Sequence, residues 1–129
     1  MRITLLVLGK TNEKYLEEGI GIFFKRLKNY VKIDYVELKD VKNYSNSDDL
    51  QKKEAHVILE KIKEDDYFIL LDENGIMLTS EGFSQQIEKW HLQNVKHAIF
   101  LVGGAFGVHQ IIKERADFIL SFSKMTFSH

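Results

Sequence analysis

A chain of 129 residues has the length of one domain, expected here to span 1–129. Hydrophobic residues make up 44%, enough for a core, yet the longest apolar runs, Ile3 to Leu8 and Ala98 to Val102, are far too short to span a membrane. There are no cysteines, and 18 Lys and Arg face 19 Asp and Glu for a formal charge of -1. The absence of cysteine excludes a disulfide scaffold, a thiolate metal site and a cysteine nucleophile. The charge balance is unlike that of a protein holding nucleic acid mainly by charge. Met1-Arg2 leads straight into strand-like sequence with no cleavage site, so a cytoplasmic protein without membrane association is expected.

The hydrophobic period switches repeatedly along the chain. Ile3 to Leu8 is a short apolar run ending at Gly9, as a buried parallel strand would be. Tyr15, Leu16, Ile20, Phe23, Phe24 and Leu27 recur at helical spacing, with a start near Thr11 or Asn12. Val31 to Leu38 alternates as a strand, and the polar segment from Asp40 to Asp49 is a loop leading to a helix cap. Ala55, Ile58, Leu59 and Ile62 mark a second helix. Tyr67 to Leu71 reads as a strand followed by the turn Asp72-Glu73-Asn74-Gly75. Ser80 caps a third helix buried through Phe83, Ile87 and Trp90. His97 to Val102 is a strand, Gly103-Gly104-Ala105-Phe106-Gly107 a glycine loop, Val108 to Ala116 a fourth helix and Phe118 to Ser121 a last strand. This alternation predicts an α/β fold with a mostly parallel sheet flanked by helices. In such folds ligands bind beyond the carboxyl ends of the strands. Three of those ends, after Leu71, Val102 and Leu120, fall in the second half of the chain.

Most motifs have an ordinary structural explanation beside a functional one. Lys25, Arg26, Lys28 and Lys32 form a basic stretch without an acid; by pattern alone it is a solvated helix end, where cations also suit the helix dipole. The glycine loop is neither a Walker A sequence nor Gly-x-Gly-x-x-Gly, and by itself reads equally as a tight turn or as a place where a ligand meets the backbone. Asp72 and Glu73 are adjacent on a turn, which favours solvated carboxylates over an acid–base pair. No two of the five histidines have the helical spacing of a zinc pair, and no metal site is expected. No nucleophile elbow is present. The end of the chain, Ser121-Phe122-Ser123-Lys124-Met125-Thr126-Phe127-Ser128-His129, is unusually rich in large apolar groups for a terminus and reads as a segment built for packing.

Five pieces, in order over essentially the whole chain, resemble one family: the start Met1 to Lys10, the Tyr30 region, Leu71-Asp72-x-x-Gly75, Gly103-Gly104-x-x-Gly107 and Leu120-Ser121-x-Ser123-Lys124-Met125-Thr126-Phe127-x-His129. The family is RlmH, the ribosomal large-subunit RNA (pseudouridine-N3) methyltransferases of the SPOUT superfamily, and the final loop is its most specific piece. The resemblance implies a trefoil-knot α/β fold, a homodimer and S-adenosylmethionine as methyl donor. It places the cofactor contacts at Leu71, at Gly103 and at Phe122, Ser123, Lys124, Met125, Thr126 and Phe127. It implies methyl transfer to N3 of a pseudouridine in 23S ribosomal RNA, with the large subunit or whole ribosome as substrate and with no metal. Under it Lys25, Arg26 and Lys28 become the candidate RNA-contacting face. No residue is assigned as the base that removes the N3 proton.

The sequence departs from the family pattern at two points. Ser128 stands where the family usually has proline before the loop histidine. Family members also continue past that histidine into a C-terminal helix, so a chain ending at His129 is expected to be a shortened form that binds S-adenosylmethionine poorly. Two other readings remain open: a non-catalytic SPOUT-like module that docks on ribosomes or self-associates, and a flavodoxin-like nucleotide or flavin binder. The latter lacks a phosphate loop and leaves the final loop unexplained.

Overall fold

The computed structural model describes residues 1–103 and 106–125. Five strands form one sheet: β1 (Arg2–Leu8), β2 (Lys32–Leu38), β3 (Tyr67–Met77), β4 (His97–Val102) and β5 (Phe118–Ser121). Their spatial order is β2-β1-β4-β3-β5, and every neighbouring pair is parallel. Parallel strands need crossovers. Helices α1 (Lys14–Leu27), α2 (Ser47–Leu59), α3 (Ser80–Leu92) and α4 (Gln110–Arg115) supply them.

Strand alternation divides the core into two faces. Leu6, Leu38, Phe68, Leu70, Ile99 and Leu101 pack with Ala55 and Ile58 of α2 and Ile112 of α4. The intervening residues, among them Ile69, Ala98 and Phe100, pack with Trp90 of α3. Both faces being covered explains why the central strands are nearly continuous apolar runs. Trp90 is 1% exposed and stacks edge-on with Phe118 and Phe100 at 5.4 and 6.2 Å. α1 lies on the α3 side, because its Phe24 meets Tyr35 at 5.3 Å and Tyr35 is the register partner of Leu5. Its attachment is slight: α1 has no fully buried residue, and Tyr15, Ile22 and Phe23 are mostly exposed.

Helix starts follow local capping chemistry. Asn46 Oδ1 accepts the Asp49 N–H while Asp49 Oδ2 accepts the Ser45 N–H, a reciprocal cap that begins α2 inside the expected loop. Thr79, one residue before the expected Ser80, caps α3 through its hydroxyl. α1 begins at Lys14 rather than at Thr11 or Asn12; Glu13 precedes it without a side-chain cap, after a turn at Gly9 with φ +81°.

The larger correction concerns Asp72-Glu73-Asn74-Gly75, expected as a turn ending a strand. β3 runs on through it to Met77. Leu71 and Ile76 both align with Leu120, so residues 72–75 form an irregularity within a strand that resumes alongside β5.

The amino edge of the sheet is tied by polar contacts. Arg2 pairs with Asp34 at 2.7 Å. His97 lies between Thr4 Oγ1, 2.7 Å from Nε2, and the buried Asp66, 3.1 Å from Nδ1. Arg115 donates to the carbonyls of Lys63 and Asp66 and to the Asp117 carboxylate.

Candidate functional site

All five strands are parallel, so their carboxyl ends share one edge. Leu71, the last regular residue before the irregular part of β3, is the Cα partner of Val102 at the end of β4 and of Leu120 near the end of β5. Gly103 follows Val102, and Phe122 follows Ser121 at the end of β5. The structure thus brings Leu71, Gly103 and the segment from Phe122 to Met125 together on adjacent strands. Thr126 and Phe127, the other two expected contacts, lie outside the described residues, as do Gly104 and His129.

Each piece has a local reason for its shape. A Cβ on Gly103 would lie 2.9 Å from Val108 Cγ1, so only glycine lets the chain leave β4 over that side chain. Gly107 then takes φ +78°, in the left-handed region that glycine favours. After β5, the buried Ser121 donates its hydroxyl to the Ser123 carbonyl, and the Met125 N–H donates to Ser123 Oγ. These two bonds fold 121–125 onto itself and turn its apolar side chains outward: Phe122 is 69% and Met125 71% exposed. Lys124 is also exposed. Asp72 Oδ1 accepts the Asn74 N–H, which shapes the irregular part of β3 beside them. The carboxyl edge therefore offers apolar walls and backbone groups where the amino edge is closed by its own ion pairs.

The same edge continues over β1 and β2. Asp40 lies against Gly9, where a Cβ would come within 2.5 Å of its Oδ1. Burial, and then the charge of Asp40, holds the Glu54 carboxyl above its ordinary pKa. The backbone N–H of Ser45, followed by Lys53, holds the Asp49 carboxyl below its own. A cleft of about 730 Å³ opens between α1 and the sheet, floored by Leu5, Val7 and Val102 and rimmed by Lys10, Thr11 and Asp40. Its floor reaches the residue before Gly103.

Lys25, Arg26 and Lys28 are exposed, and the Arg26 guanidinium lies 5.7 Å from the Phe23 ring centre. They are not beside the three strand ends. α1 starts after the carboxyl end of β1 and finishes just before the amino end of β2, so its last turn belongs to the opposite edge. Fourteen helical residues separate those edges by roughly 21 Å. The residues missing from the sequence reading are Gln51, whose side-chain amide donates to the Phe106 carbonyl, and the Asp40–Glu54 pair. Long-range contacts bring these together, and no local spacing announces them.

Among the described residues, no group of three or more His, Cys, Asp or Glu is placed to hold a metal ion, and no helix is long and apolar enough to cross a membrane.

Residues 1–129 match the family described as "Predicted SPOUT methyltransferase". The chain is similar to "Ribosomal RNA large subunit methyltransferase H" of Christiangramia forsetii (strain DSM 17595 / CGMCC 1.15422 / KT0803), with 41% identity over 131 residues, covering 100% of this chain and 83% of that protein. It is also similar to "Ribosomal RNA large subunit methyltransferase H 1" of Clostridium perfringens (strain SM101 / Type A), with 42% identity over 134 residues, covering 100% of this chain and 84% of that protein. With the all-parallel sheet, these matches establish that the chain belongs to the SPOUT methyltransferase family, in the RlmH group that those two relatives represent.

Proposed function

We propose that this chain is an S-adenosylmethionine-dependent methyltransferase that modifies N3 of a pseudouridine in 23S ribosomal RNA, on the large subunit or the assembled ribosome, in the cytoplasm. The register of Leu71 with Val102 and Leu120, the strand residues that lead into Gly103 and Phe122–Met125, carries the reading. The relatives' names supply the class of RNA.

The residues at that edge fit the donor. Gly103 has no side chain to hold a ligand off its backbone, and Leu71, Phe122 and Met125 offer apolar surface for an adenine and a thioether chain. When bound, S-adenosylmethionine supplies an electrophilic methyl group on a sulfonium. The protein's share of the work is positional: it holds the donor and excludes water while N3, having lost its proton, lies in line with the methyl. Such a transfer requires neither a covalent enzyme intermediate nor a metal.

The homodimer belongs to the same proposal. It is supported by α1, which buries no residue fully and leaves Tyr15, Ile22 and Phe23 mostly exposed. A second copy would also offer a way to bring the basic end of α1 closer to a donor edge.

The test is incubation of the protein with labelled donor and, separately, whole ribosomes, large subunits and free 23S RNA, followed by mapping of the modified base. Label on a pseudouridine N3 in ribosomes or large subunits is the expected result. Donor binding without methyl transfer would replace this reading with a non-catalytic ribosome-docking module.

A further inference from the structure

Tyr30 is the most exposed large apolar residue among those described, at 88%. We infer that its ring is a stacking platform for an unpaired nucleotide of the RNA, whose phosphates are held by the cations around it; this rests on the RNA reading above.

The backbone beneath the ring is fixed. α1 ends at Leu27, and the next four N–H groups turn back onto its last turn. Lys28 donates to the Phe24 carbonyl and Asn29 to that of Arg26, while Tyr30 and Val31 both donate to the Leu27 carbonyl, at 2.9 and 3.0 Å. Lys32 then enters β2 in register with Arg2. Tyr30 is therefore pinned between a helix end and a strand start, while its side chain stands in solvent. A ring held in this way costs little to order on binding.

A single exposed apolar side chain is ordinary on a protein surface, so its surroundings decide what it fits. Here they are Lys25, Arg26, Lys28 and Lys32, all exposed, in a stretch from Gly19 to Ile33 that contains no acid. The whole chain has a formal charge of -1, so the remainder is net acidic and this end of α1 is where a polyanion is admitted. An aromatic ring among cations suits a nucleic-acid strand, because the ring meets a base face and the cations meet its phosphates. Bases inside a duplex have both faces covered by their neighbours, so the partner is a nucleotide in a loop or bulge. Within one protomer it is not the nucleotide that is methylated, because the length of α1, roughly 21 Å, separates this end from the donor segments. Tyr30 is a docking contact.

Tyr30→Leu keeps an apolar side chain and removes the ring face; Tyr30→Phe keeps the face and removes only the hydroxyl. Co-sedimentation with large ribosomal subunits should show Kd raised about tenfold in Tyr30→Leu, within the cost of one lost base–aromatic stack, and less than about twofold in Tyr30→Phe. Stacking releases no counterions, so the tenfold gap should hold at every salt concentration. In the methylation assay the KM for subunits should rise with Kd, while kcat, donor affinity and Tm stay at wild-type values. Equal Kd for wild type and Tyr30→Leu overturns the inference and leaves the RNA reading standing. So does a loss that Tyr30→Phe shares, or one accompanied by a lower Tm. A Tyr30→Leu protein that sediments as a smaller species than wild type overturns it in favour of a contact between two copies. A wild-type protein with no affinity for the subunits overturns both.

Discussion

Gly75 lies directly against the main chain of Ile119: a Cβ added to Gly75 would be 2.6 Å from the Ile119 carbonyl oxygen and 2.7 Å from its carbon. The irregular segment of β3 closes onto β5 at this point, because Ile76, the next residue, resumes the pairing. Gly75→Ala should force the two strands apart. Overpacking against backbone costs about 1–3 kcal/mol, and thermal unfolding should register it as a lower Tm. Displacing Leu71 by the same movement should also weaken donor binding, measured by calorimetry.

Gly103→Ala makes a different contact, since its Cβ would meet a side chain, Val108 Cγ1, at 2.9 Å. Donor affinity should fall, and shortening Val108 should relieve the clash. In a double-mutant cycle, Gly103→Ala with Val108→Ala is expected to bind the donor better than Gly103→Ala alone. Strict additivity of the two losses would show that the Gly103–Val108 contact does not set the site.

Glu54 gives a pH prediction. Burial and the charge of Asp40 raise its folded-state pKa above the ordinary value of 4.5. A raised pKa means the protonated form is favoured in the folded state. Its contribution to stability is complete below the unfolded pKa and is lost as pH rises through the folded one. Glu54→Gln should therefore have a higher Tm than wild type at neutral pH, and the gap should close as pH falls toward 4.5. Asp40→Asn should recover part of the same gain. A difference that is constant from pH 4 to pH 8 would show that the effect is not ionisation.

Arg115 separates the two edges of the sheet experimentally. Its guanidinium holds the carbonyls of Lys63 and Asp66 and the Asp117 carboxylate at the amino edge. Arg115→Ala should cost about 2–3 kcal/mol in a denaturant titration, as charged hydrogen bonds are lost together. Donor affinity of the folded variant should not change.

The basic end of α1 makes the fifth comparison. Replacing Lys25, Arg26 and Lys28 together with Ala should flatten the salt dependence of RNA binding by about two units of slope, with donor affinity unaltered. An unchanged slope would remove these residues from the RNA-contacting face.

Much of the architecture was legible because it is written locally. His97 to Val102 and Phe118 to Ser121 were delimited to the residue, since apolar runs ending in glycine or loop residues carry their own boundaries. The positions of Gly103 and Phe122 just after strands follow from that pattern, whereas Leu71, read as the end of a strand, lies inside β3; the resemblance attached a donor to all three. What the sequence hid is what depends on partners far along the chain. Asp72-Glu73-Asn74-Gly75 has the composition of a turn, and only pairing with Leu120 and Ser121 makes β3 continue beyond it. The start of α1 shifted because Gly9 turns first beside Asp40. Gln51 is one polar residue among many on α2, and its meaning appears only when Phe106 arrives. The basic stretch was read for its charge, and the topology then put it at the opposite edge from the donor segments.

The strand order has a consequence for how the protein is made. β1 emerges first but occupies an interior place in the sheet, between β2 and β4. Arg2 can find Lys32 early, yet its other partner, His97, is synthesised about 95 residues later. Until then one flank of β1 offers unpaired backbone groups beside Leu5 and Leu6, an invitation to pair with the wrong neighbour. A nascent chain stalled before β4 should thus be a client for chaperones, and release from them should coincide with the arrival of Ala98 to Val102.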